Sequence, residues 1–236
     1  MRKQGNGRKY GTIRTVSAIS LAVVMILVAY RYIIYSWMMS WGATADELQQ
    51  KLPGDDLVAH PRSQTTMAIT IHANVTAIWP WLAQMGQGRG GFYTYEWLEN
   101  LLGCDIHNTD RIHSEWQAPK VGDLVCMYRE GAGPPPYQIA AIEPEQALIL
   151  GHPLDNDANW GDSWTFALQK IDEQNTRLIM RLRTSSSLPT AMHVMNYTLE
   201  PGYFIMYRGM LLGIKERAER ISGQMNISQR KDRQHV

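Results

Sequence analysis

The chain has 236 residues, which is room for one medium-sized domain with appendages. Apolar residues make up 44% and charged residues 19%, which excludes a wholly disordered chain. The net charge of +1 gives no general attraction to nucleic acid, so no nucleic-acid partner is expected. The only cysteines are Cys104 and Cys126, which excludes a disulfide-stapled miniprotein and a four-cysteine zinc site; whether they pair stays open.

The N-terminal stretch is predicted to be a membrane anchor over residues 15–41. Residues 15–30 carry no charge, and an apolar stretch rich in Tyr and Trp continues beyond Arg31. Such a stretch is long enough to cross a bilayer as a helix, and its aromatic end suits a membrane interface. A basic leader, residues 1–14, precedes it and acidic residues follow. The positive-inside rule therefore predicts a single-pass cell-membrane protein. Its N-terminus would be cytoplasmic and its domain would lie on the outer (periplasmic or extracytoplasmic) side.

Two alternatives for this stretch stay open. The small-x-small sequence at residues 43–45 is typical of a cleaved signal peptide, although Arg31 and several bulky aromatic residues separate it from the apolar region. A buried core helix is the other alternative, but such a helix rarely follows a basic, glycine-rich leader. An anchor and a signal peptide both place the following domain outside the cell.

The pattern after the anchor predicts an α+β domain over residues 65–222. Residues 42–64 are polar and punctuated by proline, which predicts a linker arm. Residues 67–73 alternate apolar and polar side chains, as a half-buried strand does. Two short helices are predicted next, at 75–85 and 94–102. The first would be capped by Asn74 or Thr76, and the second has Trp97, Leu98, Leu101 and Leu102 on one face.

The middle of the chain is strand-rich and the end is helical. Five further strands are predicted at residues 122–129, 137–143, 146–151, 162–171 and 176–184. Their alternation is typical of an antiparallel meander with one solvated face, to which Arg177, Arg181 and Arg183 are assigned. A long amphipathic helix is predicted over 201–222, opened by Pro201. The polar tail, residues 223–236, is predicted to be disordered.

This order of elements lets a sheet curl around the terminal helix and leave a cavity between them. The stretches WGATADEL and LPGDDLV within 41–58, together with residues 69–112 and PGYFIMYRGMLLGIKERAE at 201–219, resemble membrane-anchored bacterial members of the helix-grip superfamily. That superfamily includes START-like, Bet v 1-like and polyketide cyclase-like proteins. The resemblance implies a curved antiparallel sheet around a long C-terminal helix. It assigns no activity, because this fold hosts carriers, cyclases and regulators.

The glycine cluster at residues 86–91 formally matches G-x-G-x-x-G. A dinucleotide site needs a strand before this motif and a parallel βαβ unit around it. Here a helix is predicted before it and antiparallel strands after it. The cluster therefore predicts a tight corner between helices, with Arg89 near the cavity mouth, and no cofactor is expected.

The densest polar segment is CDIHNTDRIHSEW, residues 104–116, and it supplies the candidate catalytic residues Asp105, His107 and Asp110. A carboxylate and an imidazole that project into an apolar cavity would suit acid–base chemistry. Alternatively, the two aspartates hydrogen-bond backbone amides in a connection, one of them paired with Arg111. No metal is expected, because the spacing fits no zinc pattern. A thiolate mechanism with Cys104 beside His107 has only this loop spacing in its favour.

The aromatic and methionine residues divide between core packing and a ligand cavity. A mostly apolar pocket with a few polar groups is typical of small-molecule sites. The residues predicted to bind the ligand are Trp79, Arg89, Tyr93, Trp97, Trp116, Trp164, Met180, Met206 and Met210, with Asp105, His107 and Asp110 as further polar groups.

These patterns favour a membrane-tethered binding protein for a hydrophobic or amphipathic small molecule or a lipid. Tethering would keep the domain close to lipid-derived ligands. A cyclase- or hydrolase-type enzyme that uses Asp105 or Asp110 with His107 is the first alternative. A protein-interaction module without a ligand is the second. The oligomeric state is left open.

Overall fold

The computed structural model describes residues 5–129, 131, 133–154 and 159–234. Contacts divide the chain into two compact units, Met1–Met39 and Ser40–Val236. The first unit consists of helix α1 (Gly5–Ala29), one π-helical turn (Tyr30–Ile34) and helix α2 (Tyr35–Met39). Its stretch Arg14–Met39 is long and apolar enough to cross a membrane. Length and composition fit the predicted anchor, and the side of the membrane stays a prediction.

The second unit is built on one antiparallel sheet of six strands. The strands are β1 (Pro61–Ile71), β2 (Leu124–Val125), β3 (Tyr137–Glu143), β4 (Ala147–Pro153), β5 (Trp160–Lys170) and β6 (Thr176–Ser185). Their order in the sheet is β1-β6-β5-β4-β3-β2, so the first strand in the sequence pairs with the last, with Met67 opposite Met180. Strands β2 to β6 thus form a meander, and β1 lies at its edge beside β6.

The helix that follows β1 and the long C-terminal helix pack on one face of this sheet, which we call the inner face. Helix α4 (Val75–Ala83) begins at Asn74, whose side chain accepts a hydrogen bond from the Ala77 amide at 3.0 Å, so the first predicted helix start is confirmed. Helix α5 (Glu96–Leu101) is short. Helix α6 (Thr190–Gln234) closes the domain, and Met210, Leu211 and Ile214 on it join the core.

The prediction that residues 42–64 form a linker is wrong, because residues 42–58 pack on the other face of the sheet, which we call the outer face. The arm contains helix α3 (Ala45–Gln49), with a capping box between Thr44 and Glu47, and a 3₁₀ turn (Asp55–Val58). The arginines assigned to a solvated face lie beneath it. Arg181 is buried and bonds Asp55 at 2.7 Å, Arg183 reaches Asp55 at 3.1 Å and Arg177 bonds Glu47 at 2.6 Å. The arm is therefore a layer of the domain.

Several predicted boundaries also differ. The strand expected over 122–129 is reduced to two residues, and α6 begins eleven residues before the predicted start at Pro201, which lies inside the helix. The tail predicted to be disordered continues the helix to Gln234, and the leader joins α1 from Gly5. Residues 1–4 of the leader and 235–236 of the tail lie outside the described residues. Helical periodicity predicts which side chains share a helix face better than it predicts where the helix begins and ends, because polar helix termini resemble loops in sequence.

Candidate functional site

The inner face carries an aromatic cluster centred on Trp164 of β5. Four rings surround this indole, those of Tyr137, Phe166, Tyr207 and Phe92, at centroid distances of 5.3, 5.0, 5.6 and 6.1 Å. Trp164 and Phe166 share the inner face because side chains alternate along a strand. The Trp164 Nε1 atom is buried and has no hydrogen-bond partner in the described part of the chain. A buried indole N–H usually finds an acceptor, so the cluster offers a donor that the protein leaves unused.

A histidine–carboxylate pair borders the aromatic cluster at the ends of β4 and β5. His152 lies opposite Asp162 in the sheet, with Nδ1 3.0 Å from the carboxylate and Nε2 3.0 Å from the Pro135 carbonyl oxygen. Burial lowers the pKa of His152, but the hydrogen bonds and charge of Asp162 outweigh it, and the net shift is upward. Because both ring nitrogens face acceptors, this geometry favours the imidazolium form. Tyr137 contacts both groups: its ring centroid lies 4.0 Å from that of His152, tilted by 37°, and its hydroxyl donates to Asp162 at 3.5 Å.

A buried acid lies on helix α5. Glu99 is only 4% exposed, and its Oε2 atom has no hydrogen-bond partner among the described residues. Burial, with a smaller effect from the charge of Glu96, raises its pKa to about 7. Burial likewise raises the pKa of the neighbouring Cys104 thiol, although a hydrogen bond from Tyr128 opposes that shift. Tyr128 in turn interacts with Tyr203 of α6, which stacks on Tyr207 of the aromatic cluster at 6.1 Å.

Helix α5 buries Glu99, whereas its other polar side chains bond the loop that follows the helix. The half-buried Glu96 bonds His107 and the Asn108 amide, and the exposed Asn100 bonds both backbone groups of Ile106. The apolar side chains of Trp97, Leu101 and Leu102 are 69, 74 and 62% exposed. The predicted apolar face thus exists, and it points to solvent.

Glycines bring α6 close to the segment that carries this site. A Cβ at Gly213 would overlap the carbonyl oxygen of Tyr93, and one at Gly209 would lie 2.5 Å from the Thr94 hydroxyl. Tyr93 itself has a positive φ of 60° and bonds the Trp81 carbonyl oxygen through its hydroxyl at 2.8 Å. This close approach places the Met206 sulfur of α6 3.9 Å from the Thr94 hydroxyl, next to the start of α5.

The predicted catalytic residues lie in solvent. The side chains of Asp105, His107 and Asp110 are 56, 75 and 71% exposed. His107 lies between Glu96 at 3.1 Å and Asp105 at 3.4 Å, and Asp110 pairs with Arg217 at 2.9 Å and with Arg220 instead of Arg111. They therefore lack the apolar surroundings that the acid–base hypothesis requires. Both cysteines are free, and the raised pKa of Cys104 favours an unreactive thiol.

The predicted ligand-binding residues are only partly brought together. Tyr93, Trp164, Met180 and Met210 are buried in the inner core, and Trp79 packs against it. Met206 is half-buried near Thr94, at 3.9 Å, on the side of α6 that carries the site. Arg89 holds a corner, donating to the carbonyl oxygens of Ala83 and Trp116 at 2.9 and 3.0 Å, while Trp116 stacks on His113. Trp97 points away. Ligand contact by these residues, and the internal cavity, stay predictions.

Sequence reasoning missed two acids and one histidine, as well as the rings of Phe92, Tyr128, Phe166 and Tyr207. Asp162 could have been found, because it lies two positions before Trp164 on the same alternating strand and must share its face. His152 was assigned to a loop, although β4 extends to Pro153. Glu99 gave no signal, since a periodic pattern shows which residues share a face and not that the polar face is the buried one.

Comparison with known proteins finds solved structures of low similarity. No family model matches the sequence, and no curated protein matches it. Solved structures with a similar fold include the resistance protein CalC from Micromonospora echinospora (13% identity, TM-score 0.42), which matches 67% of this chain and 96% of its own. The polyketide cyclase-like protein Cgl2372 from Corynebacterium glutamicum (14%, 0.33) matches 70% and 92%, and Aha1 from Colwellia psychrerythraea (14%, 0.34) matches 66% and 96%. The domain has the helix-grip fold.

The comparisons do not show what this domain binds or catalyses, so its chemistry is argued from its own residues. At these identities and TM-scores, the solved structures assign no ligand or activity to this chain. Within the described residues, no group of three or more His, Cys, Asp or Glu side chains could hold a metal ion. The inner face instead carries an aromatic cluster with an unused indole donor. Helix α5 carries a buried carboxyl group whose Oε2 atom has no partner among the described residues.

Proposed function

We propose that this chain is a membrane-tethered binding protein that holds a hydrophobic or amphipathic small molecule, lipids included, between the sheet and α6. The observation that supports it most is the buried Trp164 N–H, which has no acceptor in the described part of the chain although four aromatic rings enclose it. A ligand with a polar atom would supply that acceptor. The half-buried rings of Tyr128, Tyr203 and Tyr207 form the accessible side of the site.

Binding can be tested with the full chain in lipid nanodiscs, using phenylbutanol as a neutral amphipathic probe and empty nanodiscs as the reference for partitioning. We expect saturable binding of one molecule per chain. Trp164→Phe should weaken it about fivefold, since a net hydrogen bond contributes about 1 kcal/mol. Equilibrium dialysis measures both quantities.

Trp81→Phe is the matched control, because Trp81 is also fully buried and its Nε1 also has no hydrogen-bond partner in the described structure, but it packs edge-on against Tyr93 and outside the Trp164 cluster. Its affinity for the probe should stay within about twofold of the wild type. Phenylbutanol that partitions equally into loaded and empty nanodiscs would overturn the proposed function. It would favour the interaction module, for which the exposed face of α5 is the surface.

The orientation of the tether gives a second test. The basic leader and the acids after the anchor support a cytoplasmic N-terminus with the domain outside. In intact cells, a membrane-impermeant maleimide should label Glu173→Cys, whose parent side chain is 89% exposed, and should leave Asn6→Cys unlabelled until the membrane is permeabilised. The chain without an added cysteine gives the background from Cys126. The reverse labelling pattern would contradict this orientation.

A further inference from the structure

Helix α5 and a neighbouring turn of α6 expose large apolar side chains to solvent. Trp97, Leu101 and Leu102 of α5 are largely exposed, Tyr95 at the start of α5 is 39% exposed, and Ile205 of α6 is 47% exposed. We call these five side chains the α5 face. Single exposed apolar residues are common on protein surfaces, whereas a group of them marks a surface that another body covers.

Two contacts join the α5 face to the first residues of the domain through α6. A Cβ at Gly209 of α6 would lie 2.9 Å from the Tyr95 ring. The guanidinium of Arg208 lies 5.0 Å from the centroid of the Trp41 ring. Ile205 precedes these two residues of α6 by three and four positions, and residues at such spacings are neighbours on a helix surface. The surface therefore runs from Trp41 across Ile205 to Tyr95 and α5.

The length of the chain limits how far this surface lies from the apolar N-terminal stretch. That stretch ends at Met39, and Ser40 is the only residue between it and Trp41. Two residues span at most about 7 Å. Trp41 is fixed in the domain, because it packs against the inner core and its carbonyl oxygen accepts a hydrogen bond from the Ala68 amide at 3.1 Å. A bilayer that holds the apolar stretch therefore comes within reach of Trp41 and of Arg208 beside it.

The chemistry of the α5 face suits a bilayer better than a protein. Trp and Tyr are enriched at membrane–water interfaces, and Leu beside them suits the boundary with the acyl chains. Arg208 has no ion-pair partner among the described residues, so its charge is available to a lipid phosphate. A stable protein interface takes about 20–30 residues on each partner, many more than this face offers. A tethered surface needs no such area, because the anchor already keeps the bilayer close.

We propose that the α5 face docks on the bilayer that holds the anchor, with Trp97, Leu101 and Leu102 in the membrane interface and Arg208 at the level of the lipid phosphates. This inference rests on the tether of the proposed function and does not depend on the ligand. Docking gives the domain a second attachment to the bilayer, so the domain does not swing freely on its tether.

Spin labels measure this docking in the full chain, reconstituted at one chain per lipid nanodisc. Labels are placed at Leu101→Cys in the α5 face and at Ile26→Cys in the anchor, both in a Cys126→Ser background. That background without an added cysteine gives the unspecific labelling. Each label collides with oxygen, which concentrates in lipid, and with a water-soluble nickel chelate. The ratio of the two collision rates therefore reports immersion in the bilayer.

Ile171→Cys is the matched control, because Ile171 is also apolar and 56% exposed but lies in the β5–β6 turn. Asn175 connects this turn through His72 to Glu219, about 16 Å along α6 from Arg208. We expect the oxygen-to-nickel ratio at position 101 to exceed the ratio at position 171 by about tenfold and to approach that at position 26.

The variant Trp97→Ser/Leu102→Ser tests whether the α5 face causes the immersion. It should lower the ratio at position 101 by about fivefold, because it removes two of the side chains that enter the interface. An unchanged ratio in this variant, or equal ratios at positions 101 and 171, would overturn the docking. Protection of position 101 from both reagents would also overturn it and would favour a protein on this face.

The label at position 26 separates these failures from a failure of the tether. A high ratio at position 26 beside a low ratio at position 101 would contradict the docking and leave the tether standing. Free access of the nickel chelate to position 26 would overturn the tether of the proposed function together with the docking.

Discussion

Replacing Asp55 with asparagine is expected to destabilise the domain by about 3–5 kcal/mol, because it leaves a buried guanidinium without its counter-charge. Arg181 is 2% exposed and is held by Asp55 at 2.7 Å, by the Gln50 and Glu47 carbonyl oxygens and by the Thr66 hydroxyl. Asp55 also accepts a hydrogen bond from the Leu52 amide, which fixes the arm. Thermal unfolding of the purified chain should show the midpoint lowered by about 10 °C.

The neighbouring Asp56 provides the control for this prediction. It pairs with Lys51 at 2.9 Å, but the two side chains are 79 and 71% exposed, so Asp56→Asn should change stability by less than about 0.5 kcal/mol. The double variant Asp55→Asn/Arg181→Met should recover most of the loss, since it removes the orphaned charge. Equal effects of the two single asparagine variants would show that the arm contributes little to the domain.

This arm shows where a sequence pattern stops being informative. Alternation along β6 correctly placed Arg177, Arg181 and Arg183 on one face, and arginine on a strand face ordinarily means solvent. The acids that cover them lie more than a hundred residues earlier, in a segment whose proline and polar residues are typical of a linker. A local period cannot reveal such a long-range pairing. The succession of strands along the chain and the terminal helix were predictable because they depend on local alternation and on helical periodicity.

The site was less predictable than the sheet for the same reason. Trp164 was found because a large aromatic residue on an alternating strand faces the core, whatever else the fold does. Asp105 and His107 were chosen for their chemistry, but they lie in an exposed loop that follows α5. The buried acid of this region is Glu99. Identifying it required the position of α5 against the loop at Asn108, which no local pattern shows.

Replacing Glu99 with glutamine is expected to stabilise the domain above neutral pH. The carboxyl group has a pKa of about 7 in the folded protein and an ordinary value of 4.5. Below the ordinary value the group is protonated in both states and contributes nothing. As the pH rises from there, the unfolded chain ionises first, so the wild type loses stability until the pH passes about 7. The full loss in the free energy of unfolding is roughly 3 kcal/mol, and it should be absent in Glu99→Gln because glutamine does not ionise.

Urea unfolding between about pH 4 and pH 8.5 measures the free energy of unfolding of the wild type and of Glu99→Gln. We expect the two values to agree at the acidic end and to differ increasingly towards the alkaline end, with Glu173→Gln following the wild type. Parallel curves would show that the Glu99 carboxyl is solvated in the folded chain.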